Sequence, residues 1–212
     1  MKDTHDPSFG GSGAVGTHAV TSALRTATNA LAGVVDAPSW SLGDDELATA
    51  AVGAQQLCDI AVELAARLLA EVDSRPIATT AGAPSTACWL RARTRLTREA
   101  AARSLRLGHV LTGGSLESGS SPEHAHGWEP TRQRLASGAL RTEQAQAITR
   151  ALATLPPELP NEHRARAESF LLESAQVHDA HGLTVLGRRL LVIAPDQADA
   201  HEAGVLEAEE RR

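Results

Sequence analysis

Between residues 44 and 73 a small or branched apolar side chain recurs every three or four positions, and no other feature of this sequence limits its fold as tightly. Leu47, Ala51, Ala54, Leu57 or Cys58, Ala61, Leu64, Leu68 and Val72 fall on one face of a helix. Asp44 or Asp45 stands where a carboxylate accepts the free N–H groups of the first turn. A helix of this length needs a surface against its narrow, alanine-rich stripe. Two surfaces qualify. One is the neighbouring helices of a bundle; the other is a partner helix, because the spacing is also coiled-coil-like over about three heptads.

The remaining composition agrees with a helical chain. Of 212 residues, 39 are Ala, none is Tyr, two are Phe and three are Trp. Alanine has the best helix propensity, and strands draw on the β-branched and aromatic residues that are scarce here. This argues against an all-β fold. No apolar run approaches the roughly 18 residues of a membrane span. The N-terminus lacks a charged-then-apolar leader, so a cytoplasmic protein is expected. The length suffices for one domain with a real core, or one domain and a tail.

Residues 1–41 read as a flexible tail around Gly10, Gly11, Gly13 and Gly16, with a weak helix at about 18–35. After the long helix, Pro76, Gly82 and Pro84 mark a loop over 74–84. Ser85 caps a short helix holding Trp89 and Leu90; Thr97 caps another that runs to about 112 with Ala101, Leu105 and Leu111 inward and stops at Gly113-Gly114. Residues 113–127 form a Gly/Ser/Glu/His-rich flexible loop. A short helix follows at about 129–137, then a turn at Gly138 and a helix from a capping Thr142 to about Leu155 on Ala145, Ile148, Leu152 and Leu155. Pro156-Pro157 ends it. Further helices are expected at about 161–176, with Ala167, Phe170, Leu171 and Leu172 inward, at 182–193, with Leu183, Leu186, Leu190 and Ile193, and from Pro195 onward. The expected architecture is an all-α bundle of about seven or eight helices, with residues 42–212 as one helical domain.

Charge is segregated. The net charge is −6, yet residues 88–110 carry Arg91, Arg93, Arg95, Arg98, Arg103 and Arg106 against Glu99 alone. Residues 36–75 carry eight acids against Arg67 and Arg75. Either the acidic helix neutralises the arginines, or the arginines form a phosphate-binding face, since guanidinium forks grip phosphate oxygens bidentately. Residues 85–110 and 130–155 both read as short helix, tight turn, longer helix. This pattern admits a basic second helix to a major groove, and the second segment adds Arg132, Arg134, Arg141 and Arg150.

Other chemistry lacks a foundation. His124 with His126 and His178 with His181 have neither nearby Cys nor a histidine–glutamate–histidine helix pattern, so no metal and no cofactor is expected. Cys58 and Cys88 are too few for a disulfide framework and read as small apolar packing groups. Gly10-Gly11-Ser12-Gly13 has no following Lys-Ser/Thr and is no phosphate loop. Trp40, Trp89 and Trp128 read as core or subdomain anchors. No small-molecule substrate is identifiable.

Three segments carry a family resemblance. They are the helix 45–73 ending in Ala70-Glu71-Val72-Asp73-Ser74-Arg75; Ser85-Thr86-Ala87-Cys88-Trp89-Leu90 followed by Leu96-Thr97-Arg98-Glu99-Ala100; and Arg134-Leu135-Ala136-Ser137-Gly138-Ala139-Leu140-Arg141-Thr142-Glu143-Gln144-Ala145 leading to Ile148 and Leu155-Pro156. In order and spacing they resemble the domain of unknown function 222, or 13E12-repeat, family of actinobacteria, over about four fifths of the chain. The resemblance implies an all-helical domain that in longer relatives precedes an HNH nuclease domain. No His-Asn-His motif with flanking strands occurs here, so no nuclease residue carries over and no nuclease activity is expected of this chain. The expectation is a non-catalytic module with weak, sequence-tolerant binding of DNA through Arg91, Arg93, Arg95, Arg98, Arg103 and Arg106, with Arg132, Arg141 and Arg150 as further contacts. The alternative is a protein–protein or self-association module through helix 45–73.

Overall fold

A computed structural model of the chain describes residues 18–113, 128–156 and 159–190, and all regular structure among them is helical. The expected final helix from Pro195, most of the loop 113–127, and tail residues 1–17 lie outside the described residues. The chain divides into two units, Met1–Thr49 and Ala50–Arg212.

In the first unit, α1 (Ala19–Ala32) is the helix expected near 18–35. His18 Nδ1 accepts from Val20 N at 3.2 Å to start it. None of its residues is buried. A 3-10 turn, Ser39–Ser41, follows. It carries Trp40, which is 87% exposed and therefore anchors no core.

The long helix α2 (Asp44–Ser74) begins in the first unit and continues into the second. Then come α3 (Ile77–Thr80), α4 (Thr86–Thr94), α5 (Arg98–Thr112), α6 (Glu129–Ala136), α7 (Thr142–Ala153), α8 (Asn161–Ser174) and α9, helical over 180–190. The expected loop 74–84 thus holds one helical turn, α3. The main core gathers Leu111 of α5, Leu135 of α6, Leu140, Ile148 and Leu152 of α7 and its entry, Leu171 of α8, and Leu183 of α9. The period of Ala145, Ile148, Leu152 and Leu155 faces inward as read, all four being buried. Phe170 does not join Leu171 and Leu172; it is exposed on the outer side of α8. A second cluster joins Leu69 of α2, Leu90 of α4 and Ala101 of α5, with Trp89 and Leu105 half-buried beside it.

The largest departure concerns α2. Its buried residues are Asp59, Glu63, Ala66, Leu69 and Ala70. Ala51, Ala54, Leu57, Cys58 and Ala61 of the apolar stripe are exposed, and Leu64, Leu68 and Val72 are half-buried. The reason is polar. Asp59 Oδ1 accepts from Thr142 N at 2.9 Å and from Thr142 Oγ1 at 2.7 Å, so a carboxylate of α2 caps the start of α7. Thr142, read as the cap, is instead the first helical residue that this carboxylate satisfies. One turn further on, Glu63 Oε1 accepts from Arg132 Nη1 at 2.9 Å and ties α2 to α6. Cys58, one position away from Asp59, is left outside rather than packed.

The same device recurs elsewhere. Glu168 of α8 accepts from Thr131 N at 3.0 Å and Thr131 Oγ1 at 2.6 Å in the first turn of α6. Gln144 Nε2 donates to the carbonyls of Ala175 and His178 just past α8. The α2–α5 crossing is close: a Cβ on Gly108 would lie 2.1 Å from the Ala66 carbonyl oxygen, so only glycine fits there.

Asp59→Ala is expected to destabilise the fold by about 1–3 kcal/mol, since it orphans half-buried donors of Thr142 at the start of α7. Leu57→Ala, on the exposed stripe, is expected to stay within about 0.5 kcal/mol. Urea denaturation followed by circular dichroism checks this order, which is the reverse of what the apolar spacing alone suggests.

Candidate nucleic-acid interface

α4 and α5 form the expected pair. Ser85 Oγ accepts from Cys88 N at 3.2 Å, and Thr97 Oγ1 from Ala100 N at 3.2 Å, so both helices start where their local caps dictate. Leu90 and Ala101 seat the pair against Leu69 of α2. The arginines are left outside: Arg91, Arg93, Arg95, Arg98, Arg103 and Arg106 are all exposed. Among the described residues none of the six has an ion pair. Arg93 lies over the Trp89 ring, 5.9 Å from its centroid, which orients the guanidinium without neutralising it.

The turn between the helices has one unusual residue. Arg95 closes α4 in the left-handed region with φ 62°, a place that favours glycine. Holding a long cationic side chain there costs about 1 kcal/mol. No packing contact explains it, and Arg95 points into solvent beside Arg91 and Arg98 in sequence.

Four acids of α2 are occupied elsewhere. Asp59 serves Thr142 and lies 3.2 Å from Arg141 Nε through Oδ2, without hydrogen-bond alignment. Glu63 holds Arg132 and, at 3.3 Å, Arg67. Glu71 pairs with Arg75, and Asp73 Oδ2 lies 2.9 Å from His109 Nε2. Neutralisation of the arginine-rich segment by these four acids is therefore absent.

The other arginines divide. Arg132 is held by Glu129, at 2.6 and 2.7 Å, and by Glu63, which raises its pKa and keeps it cationic. Arg141 also donates to Gln55 Oε1 at 3.0 Å, and Arg134 reaches the Leu172 carbonyl at 3.4 Å. These three fasten helices together. Arg150 is exposed, on α7, with no ion pair among the described residues.

Reading along the sequence missed the buried acids and the His109–Asp73 pair. His109 is buried on α5 and shares a cleft of about 690 Å³ with Arg67, Asp73 and Thr112. Nothing local in the sequence marks a pair 36 residues apart. Among the described residues no three His, Cys, Asp or Glu side chains converge as metal ligands would, and no helix is long and apolar enough to cross a membrane. Set against family models, curated proteins and solved structures, the chain matches none.

The Arg132 hub has a pH signature. Hydrogen bonds from Arg132 and then Gln133 lower the Glu129 carboxyl from 4.5 to about 2. A depressed carboxylate stabilises the fold fully above its unfolded value and loses that contribution as pH falls through the folded one. The stability difference between the wild type and Glu129→Gln is expected to be present above about pH 4.5 and to vanish by about pH 2. It will be small, because Glu129 is half exposed and screened by solvent. Urea midpoints measured across that range, beside an NMR titration of the Glu129 carboxyl, check it.

Proposed function

We propose that this protein is a non-catalytic helical module that binds nucleic acid through the arginines of α4 and α5. One observation carries the reading: six exposed arginines lie within residues 91–106 with no acid paired to them among the described residues, while Asp59, Glu63, Glu71 and Asp73 of α2 are engaged elsewhere. Phosphate oxygens are the natural complement of such a surface, and binding releases condensed counterions. Contacts of this kind position a protein without specifying sequence, so the affinity is modest, salt-sensitive and largely sequence-tolerant. The resemblance to helical domains that precede HNH nucleases is compatible with this role, and the reading assigns no catalytic step to the chain.

Fluorescence anisotropy with a short labelled DNA duplex tests it. Binding is expected at low salt and should fall steeply toward physiological salt. Replacing Arg91, Arg95 and Arg98 together by Ala should weaken binding and shallow the salt slope by about 2 to 3. Unchanged affinity in the triple variant overturns the assignment.

A second reading draws on the exposed stripe of α2. Within the second unit, Ala51, Ala54, Cys58, Ala61, Ala65 and Leu68 keep four-three spacing on a face left open beyond half-buried Leu68. In an antiparallel pairing of two copies that spacing sets Ala51 against Leu68, Ala54 against Ala65 and Cys58 against Ala61. Self-association then predicts a concentration-dependent dimer by sedimentation equilibrium that Ala61→Arg abolishes without loss of helicity. A monomer at every concentration removes this reading.

A further inference from the structure

Resting on the phosphate-binding reading above, we infer that the nucleic acid bound is a duplex, with the first half of α5 in its major groove and Glu99 reading cytosine.

The argument starts from angles. At about 100° per residue, the exposed Arg98, Glu99, Arg103 and Arg106 and the half-buried Ala102 fall within an arc of about 140° on α5. Arg98 and Arg103 bound that arc. Glu99, Ala102 and Arg106 lie along its middle. The residues that seat α5, Ala101, Leu107 and Leu111, lie outside it. With Arg98 and Arg103 on its shoulders and Ala102, Arg106 and Glu99 between them, this face suits a groove about 12 Å wide walled by phosphates on both sides. The arc is open only over the first turns, since His109, which falls within it, is buried, and in helix–turn–helix docking the start of the second helix is the part that reaches base edges.

Single-stranded partners are a poor match. Surfaces for unpaired bases combine cations with aromatic platforms on which bases stack. The aromatic side chain of α4 and α5 is Trp89, half-buried in the small core cluster and already covered by Arg93.

Glu99 supplies the specificity. It is exposed and unpaired among the described residues, although Arg95 and Arg103 stand four positions to either side. On a surface that met only phosphates, this carboxylate would be a repulsive defect. Along the middle row it faces base edges instead, and the major-groove donor that suits a carboxylate is the cytosine amino group.

The test uses the full chain and labelled 20-mers, single-stranded and duplex, with G·C-containing and A·T-only versions of the duplex. At one salt concentration the wild type should bind the duplex about tenfold more tightly than its single strand, and prefer the G·C-containing duplex by about five- to tenfold. Glu99→Ala should abolish the G·C preference by weakening that complex while tightening the A·T-only one. Equal affinity for strand and duplex overturns the inference. So does a Glu99→Ala variant that binds both duplexes more tightly by the same factor. If either happens while the triple arginine variant still loses binding, phosphate binding stands and only the groove assignment fails. No binding by the wild type at low salt overturns both.

Discussion

Asp59 and Glu63 lie one turn apart on α2, and both carboxylates are buried. Taking an ion out of water costs several kcal/mol unless hydrogen bonds and counter-charge replace the lost hydration. Here they are replaced with specificity: Asp59 takes the first N–H and the hydroxyl of α7, and Glu63 takes the guanidinium of α6. The two acids therefore do more than tolerate burial. They set the rotation of the longest helix and the entry points of two others, because any other face of α2 would strand both carboxylates and their donors.

The surface follows from that choice. Rotating α2 so that its acids face inward turns its alanine stripe outward, which is why Leu57, Cys58 and Ala61 meet solvent. It also removes from the surface two of the acids best able to neutralise a basic neighbour. α4 and α5, seated by Leu69, Leu90 and Ala101, present arginines that no acid among the described residues pairs with. A structural polar network and a basic face are thus two consequences of one packing decision, and the Arg132 hub shows the contrast. Its guanidinium is spent inside the network, while those of residues 91–106 are not.

Several elements were legible because their causes are local. Ser85 and Thr97 start α4 and α5 through their own hydroxyls, and Ala145, Ile148 and Leu152 bury the face that a 3.6-residue period predicts. The basic character of the interface was legible too, as a run of arginines against Glu99. Its exposure was not. Whether an arginine faces solvent or a carboxylate depends on which side chains the fold brings beside it, and Asp73, Glu63 and Asp59 have partners 36, 69 and 83 residues away in the chain. Phe170 is misplaced by the period for a related reason: an apolar side chain has a preference for burial, but on α8 Leu171 and Leu172 are the residues that face the core.

By itself the sequence determined that the chain is helical, where most of its helices begin and end, and that its charge is divided between an acidic and a basic segment. Propensity, caps, prolines and glycines act over a few residues, so a linear reading contains them. Tertiary structure alone decided which face of α2 is buried, which arginines are free and which are bolts, and that Gly108 must be a glycine. Those outcomes depend on satisfying buried carboxylates and on the distance between two backbones, and both exist only once helices far apart in sequence have met.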